Sequence, residues 1–332
     1  MKVGVLVFNL GGPETLRDVK PFLYRLFSDP EIIRIKFSPL RKFVAYTIAT
    51  LRHRKSEGYY AQIGGGSPIR RLTEDQARAL QIELAKRGSD AQTFVGMCAA
   101  PPFLEEAIDK AAASGVERLV ILPLFPQFST TTTGSGFPVL QRLISARPQF
   151  KSIDVRWVRE WFDHPVYIEA FTLAIQRELE KTGNPGKVHI LFSAHSIPES
   201  YVRQGDPYLD QTEKSVALIM ERLRQKGFSN SHQLSFQSKV GPQKWLSPMT
   251  SDTIVELGQK GMRDVLVVPI SFVSEHSETL YELDILYKKA AEDAGITNFH
   301  RVPALNSDPT FISALADIAE AALQGVVPRE GR

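Results

Sequence analysis

The chain has 332 residues, 43% of them apolar and 23% charged, with a formal net charge of +3. That balance fits a globular chain long enough for two cores, and it gives no ground for a nucleic-acid partner. The single cysteine, Cys98, excludes intramolecular disulfides, all-cysteine zinc sites and an iron–sulfur cluster held by cysteines of this chain.

Val3 to Phe8 reads as a buried strand, broken by Gly11-Gly12-Pro13, so MKVGVLVFNLGGP reads as a first strand and turn and not as a signal peptide. No apolar segment approaches a membrane span, so a cytoplasmic setting is expected. Glu14 to Phe27 shows helical spacing. Residues 32–56 contain no acid, and seven Lys/Arg flank an apolar centre of Phe43, Val44, Tyr46, Ile48 and Leu51. That pattern suits a helix on a membrane surface or over an apolar, acid-bearing ligand, as well as an ordinary amphipathic helix.

IGGGSPIRRLTEDQ follows at 63–76, where Thr73 and Gln76 read as a capping box opening a helix to about Lys86. A Gly-rich loop before a helix can cradle an anion, but the Gly-Lys-Ser/Thr ending of a nucleotide loop is missing. Strands are expected at 92–97, 118–124 and 153–158, with a helix at 104–113. After the second of these strands, LFPQFSTTTTGSG (124–136) reads as a hydroxyl-rich loop facing ligand or water. A helix at 165–180 opens the second half.

That half repeats the first. GVERLVILPLFPQFSTTTTG from Gly115 aligns with GMRDVLVVPISFVSEHSET from Gly261, and Pro123 with Pro269, both pairs 146 residues apart. Strands alternating with helices imply an α/β fold of two similar doubly wound domains, each a parallel sheet flanked by helices, with an active-site cleft between them. The expected domains are 1–160, including the 32–56 segment, and 161–304. A helix in 305–332 is expected to pack back on the first.

The chemistry concentrates at two strand ends. The run Val188 to Phe192 stops at Ser193-Ala194-His195-Ser196, placing an imidazole at the carboxyl edge of a sheet, where open α/β folds bind ligands. The strand at 265–270, expected beside it, ends in Glu275, His276, Glu278, Glu282 and Asp284. In a helix, the 275/278/282 spacing lines three carboxylates along one ridge, which calls for a cation or proton among them. An imidazole opposite such a ridge suits a metal such as iron(II), or a general base with a proton exit. There is no Gly-x-Ser-x-Gly elbow and no His-Glu-x-x-His.

Six motifs, in order, resemble the ferrochelatases: NLGGPETLRDVKPFL (9–23), IGGGSPIRRLT (63–73), FPQFSTTTTGS (125–135), FSAHSIPES with GDPY (192–208), QSKVGPQKWLSP (237–248) and FVSEHSETLYELD (272–284). The resemblance runs almost end to end, and QSKVGP looks like the protoporphyrin-type enzymes. It implies a chelatase-like fold and insertion of ferrous iron into protoporphyrin IX, with Fe2+ as substrate and no iron–sulfur cluster. It implies that His195 and Glu278 form the metal-site pair, supported by His276 and Glu282. Arg52 and Ser67 would contact the propionates, and Leu10, Ile63 and Trp245 would be apolar walls. Residues 36–55 match the family's lip, which raises peripheral contact with the inner membrane face as an expectation for a monomer or dimer. Three positions depart from the family: Cys98-Ala99 stands where Arg-Tyr is usual, and Glu275 replaces an Asp. The alternatives are a chelatase for another metal or tetrapyrrole, or a non-catalytic tetrapyrrole binder.

Overall fold

The structure, a computed structural model, describes residues 2–325. The chain divides into two compact units, one running to Trp161 and joined by the segment from Ile312 onward, the other spanning Phe162–Phe311. Of the expected 305–332 segment, residues 326–332 lie outside the described residues.

In the first unit, β1 (Val3–Asn9) leads through a short 3-10 turn to α1 (Val19–Ser28), α2 (Ser38–Gln62) and α3 (Ile69–Lys86). Then come β2 (Ala91–Met97), α4 (Leu104–Ser114), β3 (Arg118–Pro123), α5 (Thr133–Ser145) and β4 (Asp154–Trp157). The second unit follows with α6 (Pro165–Glu180), β5 (His189–His195), α7 (Glu199–Arg203), α8 (Tyr208–Gln225), β6 (His232–Gln237), α9 (Thr250–Gln259) and β7 (Asp264–Val268). A π-helix at Glu278–Tyr287 runs into α10 (Lys288–Asp293), before β8 (Asn298–Arg301) and α11 (Pro309–Leu323).

Both sheets are parallel and share one strand order, β2-β1-β3-β4 in the first and β6-β5-β7-β8 in the second. The repeat seen in the sequence is therefore a repeat of topology. The central strands β1 and β5 are buried almost residue after residue, β1 as a nearly continuous apolar run and β5 around an apolar Ile190-Leu191-Phe192 segment, as parallel strands covered on both faces must be. Register confirms the pairing of the halves. Leu6 sits opposite Ile121, and Leu191 opposite Val267, 146 residues on. Gly115 and Gly261, the glycines that open the repeat, adopt φ of 72° and 83° just after α4 and α9. Only glycine takes such a turn without steric cost.

Three local expectations change. The basic stretch is helical only from Ser38, with Pro39 in its first turn, and it continues to Gln62. Thr73 and Gln76 open nothing: α3 starts at Ile69, and both residues are buried inside it, where Thr73 Oγ1 accepts a 3.3 Å hydrogen bond from Asn9 Nδ2. The threonine run is not all loop, since Thr133 begins α5 and, with Ser135, is buried. In α11, Asp317, Glu320 and Ser313 receive Arg87 from the end of α3 at 2.5, 3.1 and 2.6 Å.

Candidate active site

His195 is the last residue of β5, and its main chain is fixed from two sides. Its N–H donates to Ser271 Oγ at 3.2 Å, beyond the end of β7, and its carbonyl accepts from the Tyr208 hydroxyl at 2.8 Å. The Tyr208 and Ser271 hydroxyls lie 2.5 Å apart. A strand end tied in this way gives the imidazole a defined exit from the sheet.

The ring points its Nδ1 at Glu278 Oε2, 2.8 Å away, with the His195 side chain 36% exposed and Glu278 24%. When Nδ1 carries the hydrogen of that bond, the neutral ring keeps its lone pair on Nε2. Burial alone pulls the imidazole pKa down. The charge and hydrogen bond of Glu278, with the Glu282 charge behind it, outweigh burial and leave it above the ordinary value. Conversely, burial opposes ionisation of Glu278, and the charge and hydrogen bond of His195, helped by His276, hold that carboxyl well below the usual range. Glu282 goes the other way: burial and the neighbouring Glu278 charge push it up to about 7. Two carboxylates one turn apart thus divide into a permanent anion and a group poised to exchange protons near neutrality.

Glu278 opens the π-helix, whose wider turn keeps Glu278 and Glu282 on one face. Both acids meet the end of β6. Ser238 Oγ lies 2.7 Å from Glu282 Oε2 and 3.1 Å from Glu278 Oε2, and the Gln237 amide donates to Glu282 Oε2 at 3.2 Å and to the Glu278 carbonyl at 3.1 Å. His276 Nδ1 donates to the Ser274 carbonyl at 3.1 Å, which leaves Nε2 facing Glu278 Oε2 at 3.9 Å. The Phe272 ring meets both His195 and His276 edge-on.

The expected ridge of three acids is not what forms. Glu275 precedes the helix and accepts from Arg301 Nη1 at 2.8 Å and from the Ala304 N–H at 2.9 Å. Asp284 takes the other edge of the same guanidinium in a bidentate pair at 2.6 and 2.8 Å. One buried arginine therefore draws Glu275 and Asp284 away, and only Glu278 and Glu282 remain toward His195. Among the described residues, no three His, Cys, Asp or Glu side chains converge as a ready metal cage.

The other predicted residues fall into place by unit. In the first, Leu10 and Ile63 border one apolar cluster built from α1 and α2. Arg52, exposed on α2, holds its guanidinium 5.9 Å above the Phe27 ring of that cluster. The Ser67 N–H donates to the Pro13 carbonyl at 2.7 Å. Gly66 beside it allows no side chain, since a Cβ there would lie 2.0 Å from the Glu14 carbonyl oxygen. Trp245, in the second unit, has a buried indole N–H with no hydrogen-bond partner among the described residues. Sequence reasoning missed Gln237, Ser238, Tyr208, Ser271 and Arg301 as parts of the site. Gln237-Ser238 could have been found, because QSKVGP follows the strand that neighbours the His195 strand.

A family model described as Ferrochelatase matches residues 2–323. A ferrochelatase of Rippkaea orientalis is 52% identical over 324 residues, covering 97% of this chain and 83% of the relative. One from Synechocystis is 51% identical over 318 residues, covering 96% and 81%. Among solved structures, SirB from Bacillus subtilis with Fe3+ superposes with a TM-score of 0.57 at 13% identity, covering 98% of each chain. DR2241 from Deinococcus radiodurans, similar in structure to chelatases, does so with 0.53 at 13% identity, covering 99% of this chain and 56% of that one. These two show the fold alone. On the family match and the half-identical relatives, the chain belongs to the ferrochelatase family.

Proposed function

We propose that this chain inserts ferrous iron into protoporphyrin IX to form protohaem, with His195 as the base that takes the pyrrole protons. Metallation exchanges two pyrrole N–H protons for one Fe2+, so the protein must accept protons where the ring nitrogens sit. The observation that carries the reading is the 2.8 Å His195 Nδ1–Glu278 Oε2 pair, which holds Nε2 as the accepting atom. Glu278 stabilises the imidazolium that forms. Glu282, with a pKa pushed up to about 7, is suited to receive a proton and release it to water. Glu278 and His195 also offer the donor atoms that iron meets on its way to the ring, with His276 in support. Leu10, Arg52, Ile63, Ser67 and Trp245 are proposed as porphyrin contacts, Arg52 and Ser67 toward the propionates. Iron enters as substrate, and one cysteine supplies no four-thiolate set for a cluster. Binding energy goes into bending the flat macrocycle so that its nitrogen lone pairs face the ion.

The deciding experiment mixes purified protein anaerobically with protoporphyrin IX and Fe2+. Multiple turnovers of haem are expected. Stoichiometric porphyrin binding without haem would make the chain a carrier, and faster turnover with coproporphyrin would reassign the substrate.

We also infer peripheral membrane contact for a cytoplasmic enzyme through the 36–55 segment. Phe43 and Leu51 on α2 stand 67% and 77% exposed among Lys36, Lys42, Arg52, Arg54 and Lys55. No helix of the described residues is long and apolar enough to cross a membrane. Such a face gains apolar burial and attraction to anionic lipid together. Flotation with anionic liposomes is expected to carry part of the protein upward, and a fully sedimenting pool would overturn the inference.

A further inference from the structure

Among the described residues, two non-glycine positions lie in the left-handed region, Asn306 and Ser238. Asparagine tolerates that conformation; serine does so at a cost that something else must offset. Ser238 has φ 66° and is the first residue past β6. Gln237 pairs with His195 across the sheet, and its carbonyl accepts the Ser196 N–H at 2.9 Å. The left-handed turn therefore begins at the sheet edge beside the histidine. From there the serine hydroxyl reaches both carboxylates, 2.7 Å from Glu282 and 3.1 Å from Glu278. The far end of the same π-helix comes back to this residue, where the Tyr287 phenol meets the Ser238 backbone in a hydrogen bond.

We infer that Ser238 is a positioning residue for iron insertion: its hydroxyl, aimed by a strained backbone, holds Glu278 and Glu282 as a fixed pair beside His195. The assignment rests on the reading above, that this acid pair serves the reaction. Two carboxylates so close repel each other, and each is free to rotate unless a donor orients it. The Gln237 amide binds Glu282 and the Glu278 main chain but not the Glu278 side chain. Ser238 alone of these two residues touches both carboxylates. The single Ser238 O–H is shared between Glu282 Oε2 at 2.7 Å and Glu278 Oε2 at 3.1 Å, and the latter is the same oxygen that faces His195 Nδ1, so a rotation there also releases the ring.

The rival explanation makes Ser238 a turn residue only, and two substitutions separate the cases. Ser238→Ala removes the hydroxyl and keeps the backbone cost; Ser238→Gly removes both. Haem formation is measured anaerobically with Fe2+ and protoporphyrin varied in turn, alongside thermal melting. Both variants are expected to lose about tenfold or more in kcat/KM for iron, the effect of one hydrogen bond to a charged group. The porphyrin KM stays near the wild-type value, and the glycine variant melts above the alanine one. Wild-type iron kinetics in either variant, or recovery in Ser238→Gly of what Ser238→Ala lost, overturns the assignment. Glu278→Gln serves as the control. If it too behaves as wild type, the acid pair itself is not functional and the earlier reading fails. If Glu278→Gln is impaired while Ser238→Ala is not, only the role of Ser238 falls.

Discussion

At the carboxyl edge of the central strand, the first half of the chain carries Leu10 where the second carries His195. Register fixes the equivalence, since each lies four residues beyond the leucines, Leu6 and Leu191, that pair with repeat-related residues of the next strand. The substitution extends layer by layer. Phe8 corresponds to Ser193, Gly96 to Ser235 and Leu104 to Thr250. In the first half these residues make an apolar layer, with Phe8 packed on Phe125 and Phe137 and the Leu104 side chain filling the space over Gly96. In the second they make a buried hydroxyl layer. Ser193 donates to Gln237 Oε1 at 2.6 Å, and Thr250 Oγ1 lies 2.8 and 2.9 Å from the Ser193 and Ser235 hydroxyls. That layer fixes the Gln237 amide, which in turn faces Glu282. Cys98-Ala99, the departure from the family pattern, occupies the register positions of Gln237-Ser238. Cys98 packs half-buried against the core of the first sheet, and burial, with the Asp29 charge, pushes its thiol up to about 12. It is therefore a neutral packing group where the second half has a polar one. One scaffold thus supports either a greasy strand edge or a protonic one, and the choice is made by a few side chains.

The sharpest way to break this comparison is to exchange the edge residues for alanine one at a time. His195→Ala removes the accepting nitrogen and is expected to lower kcat by about 100-fold or more at saturating iron and porphyrin. Leu10→Ala, at the equivalent place, is expected to raise the porphyrin KM and leave kcat within a few-fold of wild type. Steady-state haem formation with circular dichroism to verify folding checks both. Near-normal turnover in His195→Ala would remove the asymmetry between the halves.

Much of this scaffold could be read before any coordinates. The repeat of Gly115 and Pro123 at Gly261 and Pro269 announced two like sheets, because parallel strands buried on both faces leave long apolar runs ending at turn residues. His195, Glu278 and Glu282 were legible because a strand end and a helical spacing put chemistry on known faces. What stayed hidden depends on contacts far apart in sequence. Thr73-x-x-Gln76 satisfies a capping pattern, yet Asn9, 64 residues away, uses Thr73 inside the helix. Glu275 and Asp284 share the spacing of site acids, and only Arg301, 26 and 17 residues on, takes them elsewhere. A π-helix of ten residues is too short for its period to be told from an α-helix. The positive φ of Ser238 has no sequence signature at all.

Arg301 offers a second way to sharpen the comparison. Its register equivalent is Trp157, since Val267 pairs with Arg301 and Ile121 with Trp157. In the first half that position anchors α5 through a ring contact, Trp157 to Phe137 at 4.9 Å. In the second it anchors the loop and π-helix through charge, with Arg301 and Glu275 only 11% and 12% exposed. Removing one partner from such a pair leaves a buried charge uncompensated, so Arg301→Leu is expected to cost about 3 kcal/mol of unfolding free energy. It should also lower kcat, because Glu275 and Asp284 flank the two site acids. A denaturant midpoint close to wild type would mean that the clamp is replaced by water and carries little.

The smallest effect expected is a shift in pH dependence, and it tests whether Glu278 sets the base. His195 must be neutral to accept a proton, so kcat falls as pH drops through its pKa, which the Glu278 charge holds above the ordinary 6.5. In Glu278→Gln the charge is gone while burial, which lowers that pKa, remains. The acid limb of kcat should therefore move to lower pH, on a reduced plateau. Stability carries the same signature. The raised His195 contributes stability that is fully present below 6.5 and is lost as pH rises through its folded value. The depressed Glu278 contributes stability that is present above 4.5 and is lost as pH falls through its folded value. The two shifts are two sides of one charge pair that needs both groups ionised, so the gap in Tm between wild type and Glu278→Gln should be widest from about pH 5 to 6 and narrow as pH rises through the folded pKa of His195. An acid limb that stays in place, together with a Tm gap independent of pH, would show that His195 and Glu278 do not share a charge, and the protonic edge would lose its base.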